Sequence, residues 1–245
     1  MNLLRLWNSL HDLVRSAIPR EHRRKLTVIH QSAEPLPRQP PLRRAFEVLV
    51  VGHLREEKDP FRAAEAALLL PERSRIRVVH LGGAYNRVWA QRAAREMAQN
   101  PRYRWRGEVS RHLVRQALAR APLMVLSSIM EGGANVLSEA IVAGVPVLAS
   151  AIPGSIGLLG RDYPGYFPVG DTEALAGLML RVEEEPAFRA ALQRCCARRA
   201  PLFTPEREQQ SWRRLLAGLN LSGASSKRKP GLLRSDRARE DSAGA

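Results

Sequence analysis

Hydrophobic and polar positions change their rhythm along this 245-residue chain. Leu3, Leu6, Trp7, Leu10, Val14 and Ile18 recur at steps of three and four, which predicts an N-terminal amphipathic helix. Its apolar face needs a surface: this chain's own core, a membrane, or a further domain. Residues 26–30 read as a short strand. A-E-P-L-P-R-Q-P-P-L-R-R, within 33–45, is a proline-rich linker that cannot hold a regular ladder.

From Phe46 the rhythm is that of buried strands separated by helices. F-E-V-L-V-V-G, I-R-V-V-H-L-G-G, Y-R-W-R-G, L-M-V-L-S, P-V-L-A-S and G-Y-F-P-V are the apolar runs. Helical periodicity fills 61–70, 86–99, a stretch from Ser110, and a stretch after Glu131. Two or three helices close the chain, the last over about 205–219. This alternation predicts an α/β fold: a Rossmann-like, doubly wound parallel sheet of about six strands. The sheet domain is expected over 46–203, a C-terminal helix over 204–220, and a disordered tail over 221–245.

Charge alters this picture little. The formal net charge is +15, from 35 Arg, four Lys and 24 acidic residues. More than half of the excess lies in 1–45 and 222–245, outside the expected core. Solvated surface explains such a balance, and so does an anionic partner. No recognition-helix pattern, zinc-finger pattern or aromatic-interleaved basic strand points to a specific nucleic acid. A nucleoside diphosphate needs only a few cations in one cleft. Cys195 and Cys196 are adjacent and suggest no disulfide framework, so a reducing, cytoplasmic setting is the expectation. No apolar run is long enough to span a bilayer. The six histidines lack metal-ligand spacing, and D-x-D and G-x-G-x-x-G are absent, so neither a metal nor a dinucleotide cofactor is expected.

In parallel sheets, ligands sit at the C-terminal strand ends. There the sequence places 52–58, Gly82 and Gly83, 107–110, and 131–135. E-G-G-A-N-V-L-S-E, residues 131–139, holds two carboxylates eight residues apart around a helix start. Unpaired N–H groups there favour an anion. Gly132 and Gly133 let a phosphate or sugar approach closely, beside Ala134 and Asn135. Glu139, one turn into the helix, can accept two hydrogen bonds from a ribose diol. Glu131, just before it, can accept from sugar hydroxyls. Taken singly, Glu131 reads equally as a helix-start anion and Glu139 as a surface residue. V-G-H-L-R-E-E-K-D-P, residues 51–60, adds Gly52, His53, Arg55 and Lys58, whose cations suit a diphosphate leaving group. Ser155 and Gly157, after the fifth strand, line the site or form a plain turn.

The Glu-x7-Glu spacing, the glycines and the following G-V-P-V-L-A-S resemble the donor site of family 4 glycosyltransferases with the GT-B fold. The resemblance implies donor binding by Glu139, Glu131, Gly132, Gly133, Ala134, Asn135, Lys58, Arg55, His53, Gly52 and Val109. Family members usually carry Arg directly after the glycine, where this chain has His53; Arg55 then stands in, or histidine is preferred in this branch. H-L-R-E-E-K-D-P and I-P-G-S-I-G-L-L-G narrow the resemblance to the selenosugar synthases of selenoneine biosynthesis, over about residues 25–215. That branch implies transfer of N-acetylglucosamine from its UDP donor to selenophosphate, with no further cofactor. A GT-B enzyme has two such domains. Residues 1–32 then resemble the end of the first, leaving exposed faces expected to give self-association through the opening helix. Alternatives are another acceptor, an epimerase, a non-catalytic nucleotide-sugar-binding module, and a basic protein binding nucleic acid through its termini.

Overall fold

The computed structural model describes residues 7–9, 11, 13–41 and 45–223. Its first elements correct the expected N-terminal helix. Trp7–Ser9 forms strand β1, helix α1 is confined to Val14–Ala17, and β1 pairs in parallel with β2 (Leu26–Val28). Leu3, Leu6 and Leu10 lie outside the described residues. Two local effects oppose one continuous helix. Asn8 and Ser9 are weak helix formers, and β2 offers their backbone a ladder instead. Ile18 precedes Pro19 and is extended (φ −98°, ψ 136°), which ends α1. The described residues ahead of the linker therefore show no continuous opening helix of the kind expected to carry self-association.

The main sheet follows the sequence pattern closely. β3 (Phe46–Val51) leads to α2 (Arg62–Leu68), β4 (Ile76–Leu81) to α3 (Arg87–Gln99), and β5 (Tyr103–Trp105) to α4 (Arg111–Arg120). Then come β6 (Leu123–Leu126), α5 (Asn135–Val142), β7 (Val147–Ser150), α6 (Pro153–Leu159) and β8 (Tyr166–Phe167). Helices α7 (Thr172–Glu184), α8 (Pro186–Arg199) and α9 (Pro205–Gly223) close the chain. Helix α9 carries the chain through Gly223, into the stretch expected to be tail; 224–245 lie outside the described residues.

Strand order is β5-β4-β3-β6-β7-β8, with every neighbouring pair parallel. The chain winds outward from β3 in one direction, then from β6 in the other. The crevice between the ends of β3 and β6 is thus the switch point, where sheets of this kind bind ligands. Central strands β6 and β7 are buried at every residue, as a sheet covered on both faces requires. Ala63, Ala64, Ala66 and Ala67 are buried on α2, where small side chains let it pack closely against α7. Fully buried Leu123, Leu137 and Ile141 each contribute about 1.5–3 kcal/mol.

The proline-rich segment forms no ladder, yet it is fixed. Arg38 donates from Nη1 to Leu118 O and from Nη2 to Ala121 O, both at 2.8 Å. Gln39 N donates to Ala119 O at 2.9 Å, and Arg115 on α4 donates to Pro35 O at 3.2 Å. The segment therefore runs parallel to α4, from its N-terminal end toward its C-terminal end. Helix α6 was not legible, because I-P-G-S-I-G-L-L-G holds two internal glycines. Pro153 at its first turn has the φ a helix start requires.

Candidate functional site

The loops leaving β3, β4 and β6 are tied together before any ligand is considered. Gly52 N donates to Leu81 O and Leu54 N to Gly83 O, both at 2.9 Å; Ile129 N donates to Glu57 O at 2.9 Å. Gly82 sits at φ 149°, and a Cβ there would overlap the Gly52 carbonyl. Only glycine allows the two strand ends to approach so closely.

One buried relay sets the Gly52 carbonyl. His80 Nε2 lies 3.0 Å from Gly52 O, and its Nδ1 lies 3.0 Å from Tyr103 Oη. A carbonyl only accepts, so Nε2 carries the proton and the Tyr103 hydroxyl donates to Nδ1. Burial pushes the His80 pKa down to about 4, so the ring is neutral at pH 7. Trp105 Nε1 donates to Gly82 O at 2.7 Å, fixing the neighbouring loop as well.

At the switch point, Lys58 Nζ pairs with Glu131 Oε1, and Ser128 Oγ donates to the same oxygen at 2.7 Å. The two side chains are only 18% and 9% exposed. Ser127 Oγ donates to Asp59 O at 2.8 Å. Asp59 is left-handed (φ 42°), which turns the chain just after Lys58. Its carboxylate accepts from Arg62 Nε at 2.7 Å, while Arg62 Nη1 donates to Thr172 Oγ1 at 2.7 Å. The 3-10 turn Glu56–Lys58 is thereby anchored to α7.

Beside this pair opens a cleft of about 530 Å³, lined by Gly52, His53, Val109, Asn135 and Glu139. Five of the sequence-predicted residues thus share one cavity, within the usual size of a small-molecule site. Lys58 lines an adjoining hollow that shares Gly52 and His53 with it. Glu139 lies inside α5 with its side chain 16% exposed, 3.5 Å from Arg111 Nη2. No side chain caps the start of α5, where the residue before it, Ala134, is extended. Gly132 has open space around it, and Gly133 adopts φ 133°. Arg55 lines neither cavity: it flanks the 3-10 turn, with Nε 3.0 Å from Glu57 Oε1 as an ion contact outside hydrogen-bonding geometry.

The cleft also holds Gln31, Ser32 and Arg111, which the sequence did not single out, and Glu108 from the 107–110 stretch that it did. Arg111 follows the helix cap Ser110, a signal that was present but read only as a helix start. Gln31 and Ser32 come from the segment ahead of the linker and carry no motif. Ser155 and Gly157 fall inside α6 and are buried, so they face neither cavity. A Cβ on Gly154 would overlap the Glu131 carbonyl, so α6 braces the Glu131 loop from behind.

A protein-family model described as glycosyl transferases group 1 matches residues 34–198. The chain belongs to this family. Solved structures similar to this group 1 glycosyl transferase share its fold. HepE of Anabaena in complex with UDP superposes at TM-score 0.75 with 16% identity, over 86% of this chain and 63% of that one. HepE with UDP-glucose gives TM-score 0.72 and 16% identity, over 86% and 63%. Sucrose-phosphate synthase of Thermosynechococcus elongatus gives 0.71 and 20%, over 88% and 58%. The group 1 transferase chain thus spans about three fifths of these structures' length. No curated protein sequence matches it. Among the described residues, no helix is long and apolar enough to cross a membrane, and no cluster of His, Cys, Asp and Glu could hold a metal ion.

Proposed function

We propose that this group 1 glycosyl transferase binds a UDP-sugar in the 530 Å³ cleft and acts as the donor-binding half of a glycosyltransferase. The observation that carries the reading is the placement of Glu139. It is a carboxylate held inside the cleft, one turn along an uncapped helix at the switch point. Its two oxygens suit the two hydroxyls of a ribose. The start of α5 and the Lys58 ammonium then suit the diphosphate, and Glu131 the sugar hydroxyls. The HepE complexes with UDP and UDP-glucose, sharing this fold, support the ligand class.

The finer reading rests on the sequence resemblance of H-L-R-E-E-K-D-P and I-P-G-S-I-G-L-L-G. In it the donor is UDP-N-acetylglucosamine and the acceptor selenophosphate. The selenium lone pair forms the new bond to the anomeric carbon as the bond from that carbon to the UDP oxygen breaks. The nucleophile is already anionic, so no general base is required. UDP leaves with its negative charge, which Lys58 and the α5 start neutralise. Incubation with UDP-N-acetylglucosamine and selenophosphate should release UDP in step with a selenium-bearing sugar, followed by mass spectrometry. UDP binding without that product would assign another acceptor or a binding module instead.

A further inference from the structure

We infer that Gln31 reads the nucleobase of the bound nucleotide, and that Glu208 on α9 positions it. The inference rests on the nucleotide-binding reading of the cleft and adds a base-recognition residue to it. Sheet order lays out the ligand. Lys58 and Glu131 stand at the ends of β3 and β6, which therefore form the phosphate and sugar end. β5 is the far edge strand on the β3 side, and Val109, Arg111 and Val114 follow it into the cleft. The base end is accordingly the start of α4, with Val109 and Val114 as apolar ground for a flat ring.

Gln31 and Ser32 complete this end. The segment that follows them runs parallel to α4: residue 35 meets Arg115 and residues 38–39 meet 118–121. Arg111 and Val114, earlier on that helix, line the same cleft as Gln31 and Ser32. Gln31 lines the cleft with a side chain that ends in a carboxamide. It presents a donor and an acceptor side by side, and the uracil edge presents N3–H beside O4. Glu108, also in the cleft, only accepts. A carboxamide thus matches both uracil groups, where a carboxylate would oppose its oxygen to O4.

The wall is not a loose strand. Ser32 N and Oγ both donate to Glu208 Oε2, at 2.8 and 2.5 Å, and Ala33 N donates to Phe203 O at 2.9 Å. These bonds hold the Glu208 carboxyl below its ordinary pKa, chiefly through the Ser32 hydroxyl. Glu208 does not line the cleft and acts through Ser32, as a positioning residue. Helix α9 thereby becomes part of the binding apparatus through one side chain.

Calorimetric titration of the full chain with UDP and with its N3-methyl analogue, which lacks the N3–H donor, tests this. Wild type should prefer UDP. Gln31→Ala should lower UDP affinity roughly tenfold, within the range of a bidentate contact from side chain to base, and bring the ratio of UDP to analogue affinity toward one. Glu208→Ala should compress the same ratio. Glu208→Gln, which keeps an oxygen for Ser32, should restore most of it. A ratio unchanged in Gln31→Ala, with UDP still bound, overturns the proposal and leaves the cleft a nucleotide site. Failure of wild type to bind either nucleotide overturns the cleft's assignment itself. A ratio changed in Gln31→Ala but untouched in Glu208→Ala removes the role given to α9.

Discussion

Lys58 and Glu131 neutralise one another at the switch point, with Ser128 holding the shared carboxylate oxygen. The cation proposed to meet a diphosphate is therefore engaged before any ligand arrives. A bound UDP-sugar offers each partner a replacement: phosphate oxygens for Lys58, sugar hydroxyls for Glu131. UDP alone offers only the first. The pair should therefore favour the intact donor over the spent nucleotide.

Glu131→Gln frees Lys58 while keeping an oxygen for Ser128. Calorimetry should show UDP bound several-fold more tightly by this variant, and the preference for UDP-sugar over UDP reduced. Lys58→Ala should weaken both ligands by about 1.5–3 kcal/mol, as loss of a charge-assisted contact does. Weaker UDP binding in Glu131→Gln would show that the pair is not a competitor.

Helix α6 meets the Glu131 loop through the backbone of Gly154. A Cβ on Gly154 would overlap the Glu131 carbonyl, so one of the two must shift. Gly154→Ala should cost about 1–3 kcal/mol of stability, as overpacking does. It should also lower UDP-sugar affinity by displacing Glu131. Thermal melts and titration together check it; unchanged values in both would show that the loop yields freely.

His80 gives the fold a pH dependence of definite sign. Its folded pKa of about 4 lies below the ordinary 6.5. Between these values the unfolded chain takes up a proton that the buried ring refuses. Its contribution is complete above pH 6.5 and is lost as pH falls toward 4, an amount of roughly 3 kcal/mol. Melting temperature should fall over that window, and less steeply in His80→Gln. An equal slope in the variant would assign the acid sensitivity to other groups.

The main sheet was legible because β6 and β7 are continuous buried runs, and β3 and β4 mostly apolar ones, separated by helix-length amphipathic stretches. The N-terminal helix was not, since the three- and four-residue spacing of Leu6, Trp7 and Leu10 says nothing of a partner strand. Only the fold brings Leu26–Val28 beside Trp7–Ser9. At the site, Glu139 and Lys58 belong to local motifs, and the structure places them in the cleft and in the hollow adjoining it. Arg55 belongs to the same motif, yet its guanidinium turns to Glu57. Gln31 and His80 reach the site through packing between distant segments, which no local spacing encodes, whereas Arg111 follows a helix cap that the sequence does carry.

Titration of UDP into wild type and Glu139→Ala tests the cleft most directly. Wild type should bind saturably with one site per chain. The variant should keep the wild-type melting temperature, since among the described residues the Glu139 side chain pairs with the largely exposed Arg111, and should lose at least tenfold in affinity, about 1.4 kcal/mol or more. Equal affinity in a folded Glu139→Ala variant would contradict the nucleotide-gripping role of this carboxylate.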